Sequence, residues 1–310
     1  MKTSLHRFLV LSVSAVGALF ASNLAASEAP GGREAEVDAV EAHGKVVHQL
    51  NPHFGQLHAS RPRKGTGISY HGGPLILNGV NAYVIWYGNW SGNSATTIIT
   101  SFLHALGGSA YFNINTTYYN GSGTHVRNSV TYGGATTDNY SQGTSLSDAQ
   151  VQAVVSGVLA SGALPTDANG VYFVLTSADV TETSGFCTRY CGWHTYASIA
   201  GSNIKYSFVG NPDRCPTACE AQSTSPNGNP GADGMVSIIA HELEEAVTDP
   251  NLNAWYDSSG AENADKCAWT FGTTFTTSNG SQANMTLGGA NYLIQQNWLN
   301  AGSGYCALSY

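Results

Sequence analysis

The residues best suited to chemistry lie together in one segment, Asp233-Gly-Met-Val-Ser-Ile-Ile-Ala-His241-Glu242-Leu243-Glu244-Glu245-Ala-Val-Thr-Asp249-Pro250. On a helix turning about 100° per residue, Glu245 falls about 40° from His241, Asp249 about 80° and Glu242 about 100°. Met235, Val236, Ile239, Ala240, Leu243, Ala246 and Val247 take the opposite side. The spacing predicts a helix over residues 233–248, ended by Pro250. One face is apolar and turned inward, and the other presents His241, Glu242, Glu245 and Asp249.

His241 and Glu245 stand one turn apart and can share one cation, with Glu242 beside them. This is the layout of the zincin helix H-E-x-x-H, in which ligands at i and i+4 hold zinc and the intervening Glu activates water. Glu245 replaces the second histidine, which zinc tolerates because it binds both imidazole and carboxylate. A carboxylate-rich shell also suits manganese or calcium. A third ligand is expected downstream, where Glu262 and Asp265 follow a turn at residues 251–253. Glu262 is preferred, with Asp265 as its partner or substitute. His241, Glu245 and Glu262 would then hold zinc with a fourth position left for water, and Glu242 would be the general base. The reaction expected is hydrolysis, foremost of a peptide or protein. Two other functions fit the same residues. One is a noncatalytic extracellular module that binds cell-wall polymers or a partner, its acids holding a structural cation. The other is a glycosidase using two of the clustered carboxylates.

The acids are conspicuous because charge is scarce. Only 10% of the 310 residues are charged and 36 are Gly. From Ser69 onward there are five Lys/Arg and fifteen Asp/Glu, and seven of those acids fall between Glu242 and Asp265. Only Lys266 is near in sequence to offset them, and clustered carboxylates raise one another's pKa unless a cation intervenes. Low charge with many aromatics excludes a disordered chain or a coiled coil. A net charge of −8 argues against nonspecific nucleic-acid binding, which needs a cationic surface.

The elements that must position this helix can be read coarsely. Lys2 and Arg7, an apolar run over 8–20, and Ala25, Ala26 and Ser27 form a secretory signal at residues 1–27. Its apolar run is too short for a membrane span, which takes about 20 residues. Residues 28–68 are charged and end near Arg61-Pro62-Arg63-Lys64, as a propeptide or a flexible N-terminal arm would. Residues 69–310 form the body. Strands are expected at 81–87, 111–119, 126–132, 171–175, 206–209 and 292–296, and helices at 96–106 and 148–160, the latter capped by Ser147. Residues 133–146 read as a Gly/Thr/Ser loop. Strands and helices mix without strict alternation, which gives an α+β class, a mixed-sheet zincin-like α/β sandwich stapled by disulfides. Six cysteines suit an oxidising compartment. Their spacing suggests staples between Cys187 and Cys191 and between Cys215 and Cys219, leaving Cys267 with Cys306, although six cysteines allow 15 connectivities. The mature protein is expected to be secreted, with no membrane span.

Other histidines carry weaker signals. His194, in Cys191-Gly-Trp-His194, is read as structural ahead of a substrate donor or extra ligand. His43, His48, His53 and His58 recur every five residues and are read as a polar linker. Trp86, Tyr87 and Trp90 are read as core aromatics ahead of a sugar-stacking platform.

From about Tyr70 to the C-terminus the chain resembles the EXORDIUM, or phosphate-induced protein 1, family. The resemblance is carried by Tyr70-His-Gly-Gly-Pro-Leu, Val84-Ile-Trp-Tyr-Gly-Asn-Trp, Val174-Leu-Thr-Ser-Ala-Asp-Val, Gly185-Phe-Cys-Thr-Arg-Tyr-Cys-Gly-Trp-His, Val209-Gly-Asn, Cys215-Pro-Thr-Ala-Cys219 and Asp233-Gly-Met-Val. It implies an extracellular, cell-wall-associated protein linked to growth, with no settled biochemical activity. The His-Glu-x-x-Glu helix departs from the plant pattern and looks like a microbial branch of the family. The shared cysteine segments and His194 are therefore expected to serve the fold.

Overall fold

The computed structural model describes residues 44–52 and 67–310. These fall within the compact unit Glu36–Tyr310. The signal segment, most of the stretch 28–68, and His43, His53 and His58 lie outside the described residues. No helix among the described residues is long and apolar enough to cross a membrane.

The centre is a six-stranded mixed sheet. Its strands are β1 (Val46–Gln49), β2 (Val80–Tyr87), β3 (Val130–Asp138), β4 (Gly170–Thr176), β5 (Tyr190–Ile199) and β6 (Ser202–Val209), in the spatial order β1-β5-β6-β4-β2-β3. β3, β2, β4 and β6 run parallel, and β5 and β1 close the sheet in antiparallel fashion. β4 is buried at every position. A strand covered on both faces has no use for alternation, which is why Val171-Tyr-Phe-Val-Leu175 is continuously apolar.

Three helices cover the sheet: α1 (Ala95–Leu106), α2 (Asp148–Ala160) and α3 (Pro230–Thr248). α2 begins with the expected Ser147 cap, completed to a capping box by Gln150. Along β5, His194 faces α3, while Trp193 and Thr195 line a cavity with Asp148 and Gln152 of α2. Successive residues of a strand point to opposite faces, so α2 and α3 lie on opposite sides of the sheet. α3 starts three residues before the periodic pattern does, because Asn229 caps Ala232 and Pro230 fills the first turn. Apart from the partly covered Pro230 and Gly234, it is buried along its whole length. The acidic face expected to be presented outward is thus enclosed as well. The chain after Asp249 returns over it, with the Asp265 N–H donating to Glu245 and the Gln295 N–H to Ser237.

Several local expectations are corrected. Residues 111–119 are not a strand: Phe112–Thr117 is a 3-10 helix. Ser109 Oγ accepts the Phe112 N–H, and the Thr116 and Thr117 hydroxyls donate to the carbonyls three residues back, local bonds that compete with a ladder. The stretch 126–138 divides differently from the expectation, since β3 takes in Gly133 and Gly134. The register shifts there, and a Cβ on Gly133 would come within 2.4 Å of the Tyr83 ring, so this glycine marks a bulge and not a loop. The last expected strand is split into Ala290–Tyr292 and Asn297–Leu299.

The disulfides join Cys187 to Cys215, Cys191 to Cys219, and Cys267 to Cys306. The two expected local staples are therefore wrong and the third holds. The two C-x3-C segments lie side by side and are bonded to each other, each bridge spanning 28 residues. In the chain-entropy picture a loop of that length is worth about 3.5 kcal/mol for the first bridge, against about 2 kcal/mol for a five-residue loop. Three disulfides and no free cysteine fit an oxidising compartment.

Candidate metal centre

Two elements and one loop build the site. α3 contributes His241, Glu242 and Glu245, β5 contributes His194, and the loop after α3 contributes Glu262 and Asp265. α3 approaches β5 closely because Gly192 is there: a Cβ on it would lie 2.7 Å from Ile238 Cγ2 and 3.2 Å from Glu242 Oε1. The loop is fixed to the helix by the Asp265 N–H, which donates to Glu245 Oε1 at 3.0 Å. Asp249, expected on the same face, instead closes the end of α3 and accepts the Asn253 and Ala254 N–H groups. Glu244 points elsewhere and takes the Tyr111 hydroxyl at 3.1 Å. Lys266, the one nearby cation in sequence, pairs with Asp257 at 2.9 Å.

The predicted ligands are divided between two triads that share Glu245. His241, Glu245 and Asp265 offer ligand atoms that all lie within 4.8 Å of one another, and so do His194, Glu245 and Glu262. His241 Nε2 is 3.0 Å from Glu245 Oε1 and 3.5 Å from Asp265 Oδ1. His194 Nδ1 is 3.2 Å from Glu242 Oε2 and 3.4 Å from Glu245 Oε2, and its Nε2 is 3.6 Å from Glu262 Oε2. Asp265 thus joins His241, and Glu262 joins His194. Gln295 holds the far side of His241, its amide 2.7 Å from Nδ1 and 3.1 Å from His48 Nε2. His48 rests edge-on against His241, with ring centroids 4.3 Å apart.

All of these groups are buried, and many are left without a hydrogen bond: His194 Nε2, His241 Nε2, Glu242 Oε1, Glu245 Oε2 and both oxygens of Glu262. Unpartnered buried lone pairs are costly and rare. The acidities express the same deficit. Burial pushes Glu242 up to about 6, and burial with the Glu245 charge pushes Asp265 up to about 7. Glu262 is held well above the ordinary carboxylate range by burial and then by Asp249 and Glu245. Burial disfavours a charge on His194, but its bonds to Glu242 and Glu245 outweigh that and lift it to about 9. His241 is likewise raised, since Glu245 and Asp265 outweigh burial. Glu245 alone among the carboxylates of the two triads is lowered, because two histidines outweigh its burial. His48 is pushed down to about 3, by burial and then by His241. Imidazole and carboxylate donors crowded this way suit a divalent cation, whose charge would counter the raised pKa values of Glu242, Glu262, Asp265, His194 and His241.

The sequence reading undervalued His194 and His48 and did not single out Gln295. His194 carried one usable signal, its place two residues after Gly192 in Cys191-Gly-Trp-His194. His48 carried none, because its burial comes from contacts distant in sequence, with β5, His241 and Trp269.

The family model described as "Phosphate-induced protein 1 conserved region" matches residues 68–295, which include both triads. Protein EXORDIUM-like 5 of Arabidopsis thaliana is 33% identical over 263 residues, covering 73% of this chain and 72% of its own. Protein EXORDIUM of the same plant is 30% identical over 249 residues, covering 70% and 76%. Protein PHOSPHATE-INDUCED 1 of Nicotiana tabacum is 29% identical over 218 residues, covering 61% and 67%. No solved structure matches the chain.

Proposed function

The chain belongs to the phosphate-induced protein 1 family, and from that premise and its buried acidic helix we propose that it is a secreted, metal-dependent hydrolase acting on peptides or proteins. The names of its relatives state no reaction, so the reading rests on the site. The observation that carries it is the His241–Glu245–Asp265 triad, closed to within 4.8 Å and beside Glu242 on the same helix. His241, Glu245 and Asp265 would hold the ion, with zinc the first choice for such donors and manganese or calcium next. Glu262, favoured from the sequence as third ligand, faces His194 instead. Gln295 Nε2 lies 2.7 Å from His241 Nδ1 and leaves the imidazole Nε2 turned to the carboxylates; ligation through that Nε2 would need an Nδ1–H donor, which the Gln295 carbonyl would accept with the amide turned over.

A bound divalent ion supplies acidity to water and polarises a carbonyl. The chain supplies the proton transfers. Glu242 Oε1 has no hydrogen bond, and burial holds its carboxyl at about 6, within reach of neutral pH. On this reading it would take a proton from the attacking water and return it to the leaving amine. His194, bonded to Glu242 Oε2, orients that carboxylate.

Complete burial of the site supports a second reading, a noncatalytic module with a structural cation, in which wall polymers or a protein partner bind elsewhere. One experiment separates the two. Purified protein is assayed against a peptide library, with and without chelator, beside Glu242→Gln. The hydrolase reading expects Glu242→Gln to lose about 10³-fold in turnover, within the range for a general base, while keeping its metal. Turnover that survives Glu242→Gln or the chelator overturns it, and a metal-stabilised protein with no turnover favours the second reading.

A further inference from the structure

We propose that the centre holds two divalent cations, bridged by Glu245, with the second ion bound by His194, Glu245 and Glu262. This rests on the reading of the acidic cluster as a metal centre and specifies how many ions that centre takes.

The second triad stands on its own geometry. Its ligand atoms also lie within 4.8 Å of one another, and all three residues are buried. Glu262 is 1% exposed, and neither of its oxygens has a hydrogen bond. His194 Nε2 and Glu245 Oε2 are unpartnered too. An ion in the first triad would occupy His241 Nε2 and leave these atoms unanswered. Glu245 is built to serve both sides: Oε1 lies 3.0 Å from His241 and Oε2 lies 3.4 Å from His194. A carboxylate with one oxygen toward each of two histidine–carboxylate pairs is a bridging ligand.

Charge balance points the same way. Glu244 Oε2 is taken by Tyr111 and Asp249 Oδ1 by the N–H groups that close α3, with the other oxygen of each unpartnered as well. Four carboxylates remain around the two histidines: Glu242, Glu245, Glu262 and Asp265. With neutral imidazoles, two divalent ions neutralise four carboxylates, whereas one leaves an uncompensated pair in a buried site, where bare charge is expensive. The competing way to quiet Glu262 is a proton, favoured by burial and by the neighbouring Asp249 and Glu245. In that case the second triad stays empty of metal. Mixed imidazole and carboxylate donors suit zinc or manganese, and ions in two-metal centres sit about 3.5–4 Å apart, a separation one bridging carboxylate can span.

The test uses the purified mature chain, freed of metal by chelator, reloaded with Mn(II) and desalted. Metal is counted by mass spectrometry, and the ions are examined by electron paramagnetic resonance. The expected result is two equivalents with an exchange-coupled spectrum, because the two ions share Glu245. Glu262→Gln and His194→Ala should each fall to one equivalent and show the signal of an isolated Mn(II). One equivalent in the wild type, unchanged by Glu262→Gln, overturns the second ion and leaves the single-ion hydrolase reading standing. No bound metal overturns both. Two equivalents without coupling place the second ion elsewhere and overturn the bridge. Should either variant fail to fold, the wild-type count and spectrum decide alone.

Discussion

Two buried polar clusters flank β5, and they are finished differently. On the α2 side Lys45 donates to Asp148 at 3.0 Å and to Ser184 and Tyr190, while Glu182 accepts from Ser184 and the Tyr190 hydroxyl. None of the side-chain atoms in that network is left without a partner. On the α3 side Glu242 and the carboxylates of the two triads face two histidines, and six polar atoms of these residues are unpartnered, as are Glu244 Oε1 and Asp249 Oδ2 beside them. The α3-side cluster is the more deeply enclosed, since Asp148 of the first is 29% exposed and no group of the second exceeds 3%. They also differ in closure: the first is satisfied around Lys45, and the second keeps unpartnered atoms that the proposed ion would answer. A self-satisfied buried network reads as part of the scaffold, and an unsatisfied one reads as a site.

That contrast can be broken in three places. The largest effect is expected from metal removal. If the ion is present at a thousandfold over its Kd, chelation withdraws about 4 kcal/mol of stability. For a domain of this size each kcal/mol moves Tm by about 2–4 °C, so calorimetry should show a fall on the order of 10 °C, restored by added metal. No shift would remove the outside cation from the account. Next comes Lys45→Met, which strips the closed network of its internal charge. Breaking a buried pair typically costs 3–5 kcal/mol, and the lower end, about 3 kcal/mol, is expected because Asp148 is 29% exposed. Denaturant unfolding measures it, and metal content should not change; a variant that also loses metal would show that the two clusters are coupled.

The smallest effect sharpens the comparison with a third group, Glu220. It is buried and raised to about 7, by burial first and then by Asp213. A carboxyl raised in the folded state favours folding fully while protonated in both states, below about 4.5, and that advantage is lost as pH rises through about 7. Glu220→Gln should therefore match the wild type at pH 4.5 and exceed it in Tm at pH 8. Equal melting at both values would remove Glu220 as a pH-dependent element.

How much of this was legible before folding follows from the range of each interaction. α3 was readable because His241, Glu242, Glu245 and Asp249 keep helical spacing and Pro250 marks the end. The same wheel could not say that a C-terminal wrap would bury the acidic face. Glu262 and Asp265 are three residues apart, and the short turn Asp265–Cys267 decides which of them reaches His241, a matter of backbone geometry with no compositional trace. His194 sits on a strand whose alternation assigns it to one face but does not say what covers that face. β1 is a four-residue strand inside a charged stretch, so it shows no period, and the burial of His48 comes from long-range contacts, its pairing with β5 and its packing on His241 and Trp269. The cysteines gave the right number of bridges, yet nothing in C-x3-C spacing ranks local closure against bonding two such segments together.

The central claim is that the acidic face of α3 exists to hold a metal. It is tested most directly by measuring the metal content of protein purified without chelators, wild type beside His241→Ala. The account predicts stoichiometric zinc or manganese, at least one equivalent per chain, sharply reduced in the variant. Metal at background level in the folded wild-type protein would contradict it.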